Sequence, residues 1–517
     1  MASVMELVAD LERVVLRATD SSAERADKQA LRTEIARRLF GILEGADLDA
    51  ETSHAAARAL KDAPGAGAEL VELAQRLARA SWKGGHPEGA RLYASVTDML
   101  CNRRHEPQRY GTLTYIRHGE KILLPVDPSV DDEERAEMGL PALSDLRAEI
   151  ALHNRRLAER HAVEPVLSRD ATLRRVWRDD DPAALLARQA ADGPVWRDGD
   201  ELVFVWQCDA HDVSVAGGLQ IPMWRLEGSD VWTLRVRIRD LDRAVISFAF
   251  VGTKPGDPTP SYLGGDGRWR GPEAPPAPPL NRPLAGEARE VTLPGPGERD
   301  QRAVTAYLPP GHDPALAYAV VYLADGNMTP SLAEVADAAI VRGKVPPVVL
   351  VGVASGSQTA EDIRNDEYIV GRHPERFEAH RSFFVGDVSA WAESELSAAV
   401  ERERRVIFGV SSGAAFAVTM GLRHPDRFGR VVAFSLGVFP VEPSRWPPGR
   451  VPAHYLAAGT LEEGFRRSTA NWARSVTDAG GDCVHVEMVS GHDYRMWELQ
   501  FALALEWALA APDASNS

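Results

Sequence analysis

Cysteine is scarce in this sequence, which has only three among 517 residues, Cys101, Cys208 and Cys483. The number is odd, the three lie far apart and no CxxC spacing occurs, so the sequence favours neither a disulfide framework nor a zinc site. A reducing cytoplasm is the simplest compartment for such a chain. We therefore expect a cytoplasmic protein that binds no metal.

Positive charge is in deficit, and long apolar runs are missing. Lys and Arg number 59 against 75 Asp and Glu, a net charge of −16, and an acidic surface repels phosphate backbones. The most apolar tract, 502–511, is interrupted by Glu506 and is too short to cross a bilayer. The first ten residues lack the basic start of a signal peptide. We expect neither nucleic acid nor membrane as a partner.

The N-terminal part is rich in Ala, Leu, Glu and Arg, with apolar residues at helical spacing. Leu31, Ile35, Leu39 and Ile42 are one such stripe. Gly and Pro interrupt the pattern at intervals, which predicts a bundle of four or five helices. We assign 1–190 to a mainly helical domain.

The hydrophobic pattern changes to strict alternation between residues 201 and 246. Alternation of this kind predicts an antiparallel β domain of sandwich type, which we place at 195–270. A stretch rich in proline and glycine runs from Gly252 to Pro279 and predicts a semi-rigid linker. We assign the linker between the two domains to 271–284.

Buried apolar strands alternate with helical patterns after Leu280. This order predicts a largely parallel sheet covered by helices, an α/β domain at 285–512. The candidate strands are Ala303–Leu308, Ala319–Leu323, Val348–Val353, Arg405–Phe408, Val431–Ser435, Ala453–Ala458 and Val484–Val489.

The segment 409–413, Gly-Val-Ser-Ser-Gly, matches the G-x-S-x-G pattern. A short buried strand precedes it and a strong helical run follows, which is the strand, turn and helix of a nucleophile elbow. We therefore predict Ser411 as a nucleophile, with the N–H of Ser412 facing a developing oxyanion. The alternative is an ordinary turn rich in Gly and Ser.

A base and an acid are expected after the nucleophile in chain order. His492 lies on the loop between the last strand and the last helix, where an α/β hydrolase keeps its general base. Glu462 and Glu463 compete as the carboxylate that orients the imidazole, and we favour Glu462. Asp482 and Asp493 are weaker candidates, and a dyad without an acid is a further alternative.

A second oxyanion donor is expected on the loop after the strand at 319–323. That strand is followed by Asp325, Gly326 and Asn327. The loop at this place in the fold supplies the second N–H group, so Gly326 or Asn327 is the predicted donor. An Asp-Gly pair is also common in ordinary turns.

These pieces together resemble the enterochelin (enterobactin) esterase family and its esterase D-like relatives, over roughly residues 200–510. The resemblance implies an immunoglobulin-like sandwich in front of an α/β-hydrolase domain, and hydrolysis of ester bonds. It also makes Arg364, Glu367 and Asp325 candidate substrate-binding residues. The segments that carry it are 223–232, 322–326, 364–368, 411–413, 459–462 and 491–493, with Trp497 downstream.

The whole sequence therefore predicts a multidomain serine esterase with an N-terminal α-helical domain, a β-sandwich and a C-terminal α/β hydrolase. It would cleave a small-molecule ester or lactone, siderophore-type esters included, without metal or organic cofactor. The alternatives are an acyltransferase using the same site, a peptidase, and an inert binding module.

Four arginines in the loop 356–385 make it locally basic, which suits an anionic substrate, although scattered surface arginines are the simpler explanation. They are Arg364, Arg372, Arg376 and Arg381.

Overall fold

A computed structural model describes most of the chain. The described residues are 2–14, 31, 34–36, 38–43, 46, 48–61, 68–103, 106–117, 120–163, 171–254, 257–296, 301–356, 363–437, 446 and 450–510. The chain divides into two compact units, one formed chiefly by 1–157 and one formed by 158–358 and 363–517. It is thus a multidomain protein with helices and several sheets. No helix in the described ranges combines the length and the apolar character needed to cross a membrane.

The first unit is mainly helical and has its own apolar core. Ile35 and Leu39 of the predicted stripe are buried, whereas Leu31 and Ile42 are exposed. The stripe was therefore half wrong, because the buried face continues through Leu43 instead. The elements are α1 (Ala2–Arg13), α2 (Ala50–Lys61), α3 (Ala68–Lys83), α4 (Gly89–Arg103), β1 (Thr114–Arg117), β2 (Glu120–Leu123), α5 (Asp132–Glu137) and α6 (Leu143–Val163).

The second unit begins with two antiparallel sheets that share one core. One sheet has the order β11-β10-β6-β7 and the other β3-β9-β5-β4, with β8 paired to β9. Phe204 and Leu234 of one sheet pack with Val215 and Phe250 of the other. The elements are β3 (Leu173–Val176), α7 (Pro182–Asp192), β4 (Val195–Asp198), β5 (Glu201–Gln207), β6 (Asp212–Gly217), β7 (Ile221–Pro222), β8 (Trp224–Arg225), β9 (Val231–Ile238), β10 (Val245–Lys254) and β11 (Asp257–Arg270). We call these two sheets the sandwich; its immunoglobulin-like character stays a prediction.

The interpretation of the whole stretch 252–279 as a linker was wrong, because β11 occupies much of it and pairs with β10. The glycines of this stretch do not make a linker. A Cβ on Gly265 would lie 2.6 Å from atoms of the Phe250 and Trp206 rings. Glycine here lets an aromatic layer lie flat against the strand, which a composition count cannot distinguish from flexibility.

The rest of the second unit is an eight-stranded sheet with helices between most strands. Its order is β12-β13-β15-β14-β16-β17-β18-β19, and all pairs from β15 to β19 are parallel. The elements are β12 (Glu287–Pro294), β13 (Gln301–Leu308), β14 (Ala319–Leu323), α8 (Thr329–Val341), β15 (Val348–Val353), α9 (Ile363–Tyr368), α10 (Pro374–Phe383), α11 (Ser389–Glu395), β16 (Arg405–Val410), α12 (Ser412–Arg423), β17 (Arg430–Phe434), β18 (Ala453–Gly459), α13 (Glu463–Asp478), β19 (Cys483–Met488) and α14 (Tyr494–Leu509).

Each central strand of this sheet contributes side chains to two apolar cores, one on each face. Tyr322 and Ile407 belong to one core, and Leu323 and Phe408 to the other. Burial on both faces explains why these strands are continuous apolar runs, and all seven predicted strands are present. The edge strand β12 was not predicted because most of its residues are exposed and half of them are polar. The carboxyl ends of the parallel strands meet at one edge, where the candidate site lies.

Candidate active site

Ser411 lies at a sharp turn between β16 and α12. Its backbone has φ 57° and ψ −121°, a conformation that residues with a side chain seldom adopt. The Ser411 N–H donates to the carbonyl of Phe434 at 3.0 Å, and its own carbonyl accepts from Ala414 at 3.1 Å. The turn is thus held from the neighbouring strand and from the helix. A strained residue that its surroundings hold in place is typical of a functional position.

Both glycines of the G-x-S-x-G pattern are required by close approach. A Cβ on Gly409 would overlap the carbonyl of Gly413, and a Cβ on Gly413 would lie 2.6 Å from Oδ2 of Asp325. The chain therefore folds back on itself so tightly that only glycine fits on either side of Ser411. This geometry supports the elbow over an ordinary turn rich in Gly and Ser.

Glu462 and His492 are hydrogen bonded, Oε2 to Nδ1, at 2.7 Å. The carboxylate is buried, and its other oxygen accepts from the Ser435 hydroxyl at 2.6 Å and from the Gly459 N–H at 2.7 Å. Because Nδ1 faces the carboxylate, Nε2 is the nitrogen left for other partners. Glu463, the competing candidate, is exposed and pairs with Arg467.

Two aromatic rings flank the imidazole. The Phe465 ring lies 4.3 Å from that of His492, centroid to centroid, and the Trp497 ring stands perpendicular to it at 4.9 Å. The Trp497 indole N–H donates to the Ser435 hydroxyl at 2.9 Å. With a side-chain exposure of 14%, His492 is largely but not completely shielded from solvent.

Ser435 links the acid and base to the elbow. It directly follows Phe434, the residue that binds the Ser411 N–H, and its hydroxyl binds Glu462. Ser411 is thus connected to His492 through hydrogen bonds and one peptide unit, that of Phe434 and Ser435. The connection runs through Ser435 and Glu462 at one edge of the sheet. Sequence reasoning missed Ser435 and Phe465, although the position of Ser435 at the end of a buried strand was a usable signal.

The predicted oxyanion donors lie just after the ends of two neighbouring strands. Gly326 and Asn327 belong to a short 3₁₀ turn after β14, and β14 is the parallel neighbour of β16, which ends at the elbow. Ser412 begins α12 there, and its hydroxyl hydrogen bonds the side-chain oxygen of Asn365. The fold thus brings the three backbone groups to adjacent strand ends.

Asp325 and Arg364 form a two-point ion pair beside the elbow, with distances of 2.6 and 2.8 Å. The same guanidinium reaches the Val410 carbonyl at 3.4 Å. Arg364 therefore ties the loop after β14 to the end of β16. The two candidate substrate-binding groups are engaged with each other, which favours a role in shaping the site.

The arginines of the 356–385 loop do not form a free basic patch. Each of the four pairs with a carboxylate, two of them sharing Asp366, which offsets most of their charge and favours the simpler explanation over an anionic substrate. The pairs are Arg364 with Asp325, Arg372 and Arg376 with Asp366, and Arg381 with Glu378.

Glu367, the third candidate substrate-binding residue, lies in the interior. It forms an ion pair with Arg302, both side chains being less than 10% exposed, and accepts the Gly356 N–H at 2.9 Å. A buried carboxylate with these partners holds β13 and α9 together. Its position favours a structural role over contact with substrate.

His380 packs beside this pair and should make folding sensitive to acid. Burial, followed by the charge of Arg302, lowers the pKa of His380 to about 3. An unfolded histidine titrates near pH 6.5, so the contribution of the neutral buried ring is complete above that pH and is lost as pH falls towards 3. From pH 7 to pH 5 we expect the protonation of His380 in the unfolded chain to lower the free energy of unfolding by about 2 kcal/mol.

Urea unfolding at both pH values measures this contribution. His380→Leu should lose correspondingly less stability on acidification than the wild type, whereas His211→Gln, at an exposed position, should behave like the wild type. Equal acid sensitivity in His380→Leu and the wild type would contradict the assignment.

Comparison with known families gives one match that bears on function. Residues 299–474 match a family model described as "Putative esterase". The matched range contains Ser411 and Glu462 and ends before His492. No curated protein matches the chain. Within the described residues, no group of three or more His, Cys, Asp or Glu side chains is arranged to hold a metal ion.

Several solved structures are similar to this chain. An enterochelin esterase from Shigella flexneri is 18% identical, covers 61% of this chain and 94% of its own, and has a TM-score of 0.47. A ferric enterobactin esterase from Salmonella typhimurium is 16% identical over 62% and 98%, with a TM-score of 0.48. A ferulic acid esterase from Anaeromyces mucronatus is 16% identical over 43% and 90%, with a TM-score of 0.37. Likenesses at this level identify no substrate.

Proposed function

Since residues 299–474 match a family model described as "Putative esterase", we propose that this protein is a serine esterase that forms an acyl-enzyme on Ser411. The observation that carries the proposal is the buried Glu462–His492 hydrogen bond, joined through Ser435 to the strained elbow. A nucleophilic hydroxyl, a base and an acid that orients the base are the parts that nucleophilic acyl transfer needs.

The proton movements follow from the orientation of His492. Nδ1–H points to Glu462, so Nε2 accepts the Ser411 proton as Oγ attacks the ester carbonyl. The imidazolium that forms is stabilised by the buried carboxylate and then protonates the departing alcohol. Water, deprotonated by the same Nε2, attacks the acyl-enzyme, and Ser411 regains its proton when the acid leaves.

The oxyanion is held by backbone N–H groups. Ser412 supplies one, and Gly326 or Asn327 supplies the other. Backbone donors are fixed before the reaction starts, and loss of one typically costs about 3 kcal/mol of transition-state stabilisation. The Arg364–Asp325 pair, which ties these two loops together, would keep the donors at a constant separation.

The proposed substrate is an ester or lactone of a small molecule, and siderophore-type esters remain candidates from the sequence resemblance alone. The charge of Arg364, the arginine beside the elbow, is offset by Asp325, which does not favour an anionic group there. A panel of neutral and anionic esters and lactones separates these classes, because a neutral preference is expected from the pairing.

Labelling with a fluorophosphonate tests the proposal. The wild-type protein should gain one phosphonyl group, which peptide mapping by mass spectrometry should locate on Ser411. The Ser411→Ala protein should gain none. A folded wild-type protein that neither reacts nor hydrolyses any ester of the panel would favour an inert binding module.

A further inference from the structure

We propose that the sandwich is a working part of the active site, and that Ser247 is a positioning residue that holds the loop of His492 through Asp493. The inference rests on the proposed function and extends it to a domain that contributes no reacting group. Two loops carry the acid and the base, and both are fastened to the sandwich.

The first is the base loop, 489–493, which follows β19. The Asp493 carboxylate accepts the Ser247 N–H at 2.6 Å and the Ser247 hydroxyl at 2.8 Å. Three residues before Asp493, the Ser490 hydroxyl donates to the Val245 carbonyl at 2.7 Å. The Val245 N–H in turn donates to the Val489 carbonyl at 2.9 Å. The loop therefore lies along β10 with bonds on both sides of His492.

The second is the acid loop, 460–462, which follows β18. Leu461 is 1% exposed and packs into the core that the two sandwich sheets share. The Thr460 carbonyl accepts the hydroxyl of Thr172, which precedes β3, at 2.8 Å. The Leu461 N–H donates to the Ser490 carbonyl at 2.9 Å, which joins the two loops. Glu462 is thus placed by a side chain buried in another domain.

The base loop and the turn after β6 are in close contact. A Cβ on Gly218, in the turn after β6, would lie 2.8 Å from Oδ2 of Asp493. A Cβ on Gly491, next to His492, would overlap the Gly218 carbonyl. Backbone meets backbone here, so the position of the sandwich determines the position of the imidazole.

This arrangement controls the rate because catalytic geometry tolerates little displacement. A shift of about 1 Å can cost roughly 100-fold in rate. Asp493 is buried and also caps the N-terminus of α14 through the Arg495 N–H, so moving it shifts the loop and the start of the helix together. These contacts do not involve the substrate, so weakening them should lower kcat and leave KM unchanged.

The test uses the full chain and compares four substitutions in the sandwich. Ser247→Ala removes one bond to Asp493, and we expect kcat on an aryl ester to fall about 10-fold. Gly218→Ala pushes directly on the Asp493 carboxylate and should lower kcat by about 100-fold. Ser247→Thr keeps the hydroxyl and should restore kcat. Ser229→Ala is the matched control, since the hydroxyl of that serine makes two hydrogen bonds and both lie within the sandwich.

All rates are divided by the fraction of protein that a fluorophosphonate labels, so that unfolded molecules do not count. A lower kcat at constant KM in Ser247→Ala and Gly218→Ala, absent in Ser229→Ala, supports positioning. If the wild type labels on Ser411 but Ser247→Ala and Gly218→Ala are as fast as Ser229→Ala, the inference is overturned and the esterase proposal still stands. A raised KM at constant kcat also overturns it, and an unlabelled wild type removes both.

Discussion

Replacing Ser411 with alanine should lower kcat for a short-chain aryl ester by at least about 10⁴-fold while the chain stays folded. Alanine removes Oγ, the atom that bonds the acyl group, and leaves only the oxyanion donors and binding to favour reaction with water. The Ser411 N–H bond to Phe434 involves the backbone and survives the change. Steady-state kinetics measure the loss, and near-UV circular dichroism reports the fold.

Ser412→Ala is the matched control for this change. It removes the neighbouring hydroxyl and its bond to Asn365 but keeps the backbone N–H that faces the oxyanion. We expect it to retain most of the activity. If Ser411→Ala were as active as Ser412→Ala, the acyl-enzyme mechanism would have to be abandoned.

Glu462→Gln should have the second-largest effect, a fall in kcat of about 10⁴-fold. The amide has nearly the shape of the carboxylate, but it cannot stabilise the imidazolium and can hold the ring in the wrong tautomer. The carboxylate also accepts bonds from Ser435 and Gly459, so its loss disturbs the network that reaches the elbow. The measurement is kcat at a pH where the wild type is fully active.

The adjacent Glu463 offers a control with the same chemistry. Its side chain is exposed and pairs with Arg467 on the helix surface, so Glu463→Gln should leave kcat unchanged. Equal losses in both substitutions, or loss only in Glu463→Gln, would show that the wrong carboxylate has been assigned.

The positions of Ser411 and His492 were predictable because each rests on a local pattern. A buried strand, a G-x-S-x-G turn and a helix occupy consecutive residues, and the histidine follows the last strand. The choice between Glu462 and Glu463 was harder, since adjacent residues at a helix start differ only in the direction of their side chains. The Glu462–His492 hydrogen bond and the exposure of Glu463 favour Glu462, and both depend on tertiary structure.

Contacts between residues distant in sequence were beyond prediction. Ser247 and Asp493 are separated by 246 positions, and Ser247 belongs to none of the motifs that the sequence offers. The glycines of β11 suggested a linker because composition does not reveal aromatic rings lying over a strand. The loop arginines suggested a basic patch because the sequence does not show which carboxylates they meet.

The burial of Leu461 in the sandwich core ties the proposed catalytic edge to the stability of a neighbouring domain. Loss of that core would release the acid loop and the base loop at the same time, so partial opening of the sandwich should already be an inactivated state. We therefore expect the heat tolerance of the proposed activity to follow the less stable of the two neighbouring folds, so that mutations that strengthen a weaker sandwich would give a longer-lived catalyst.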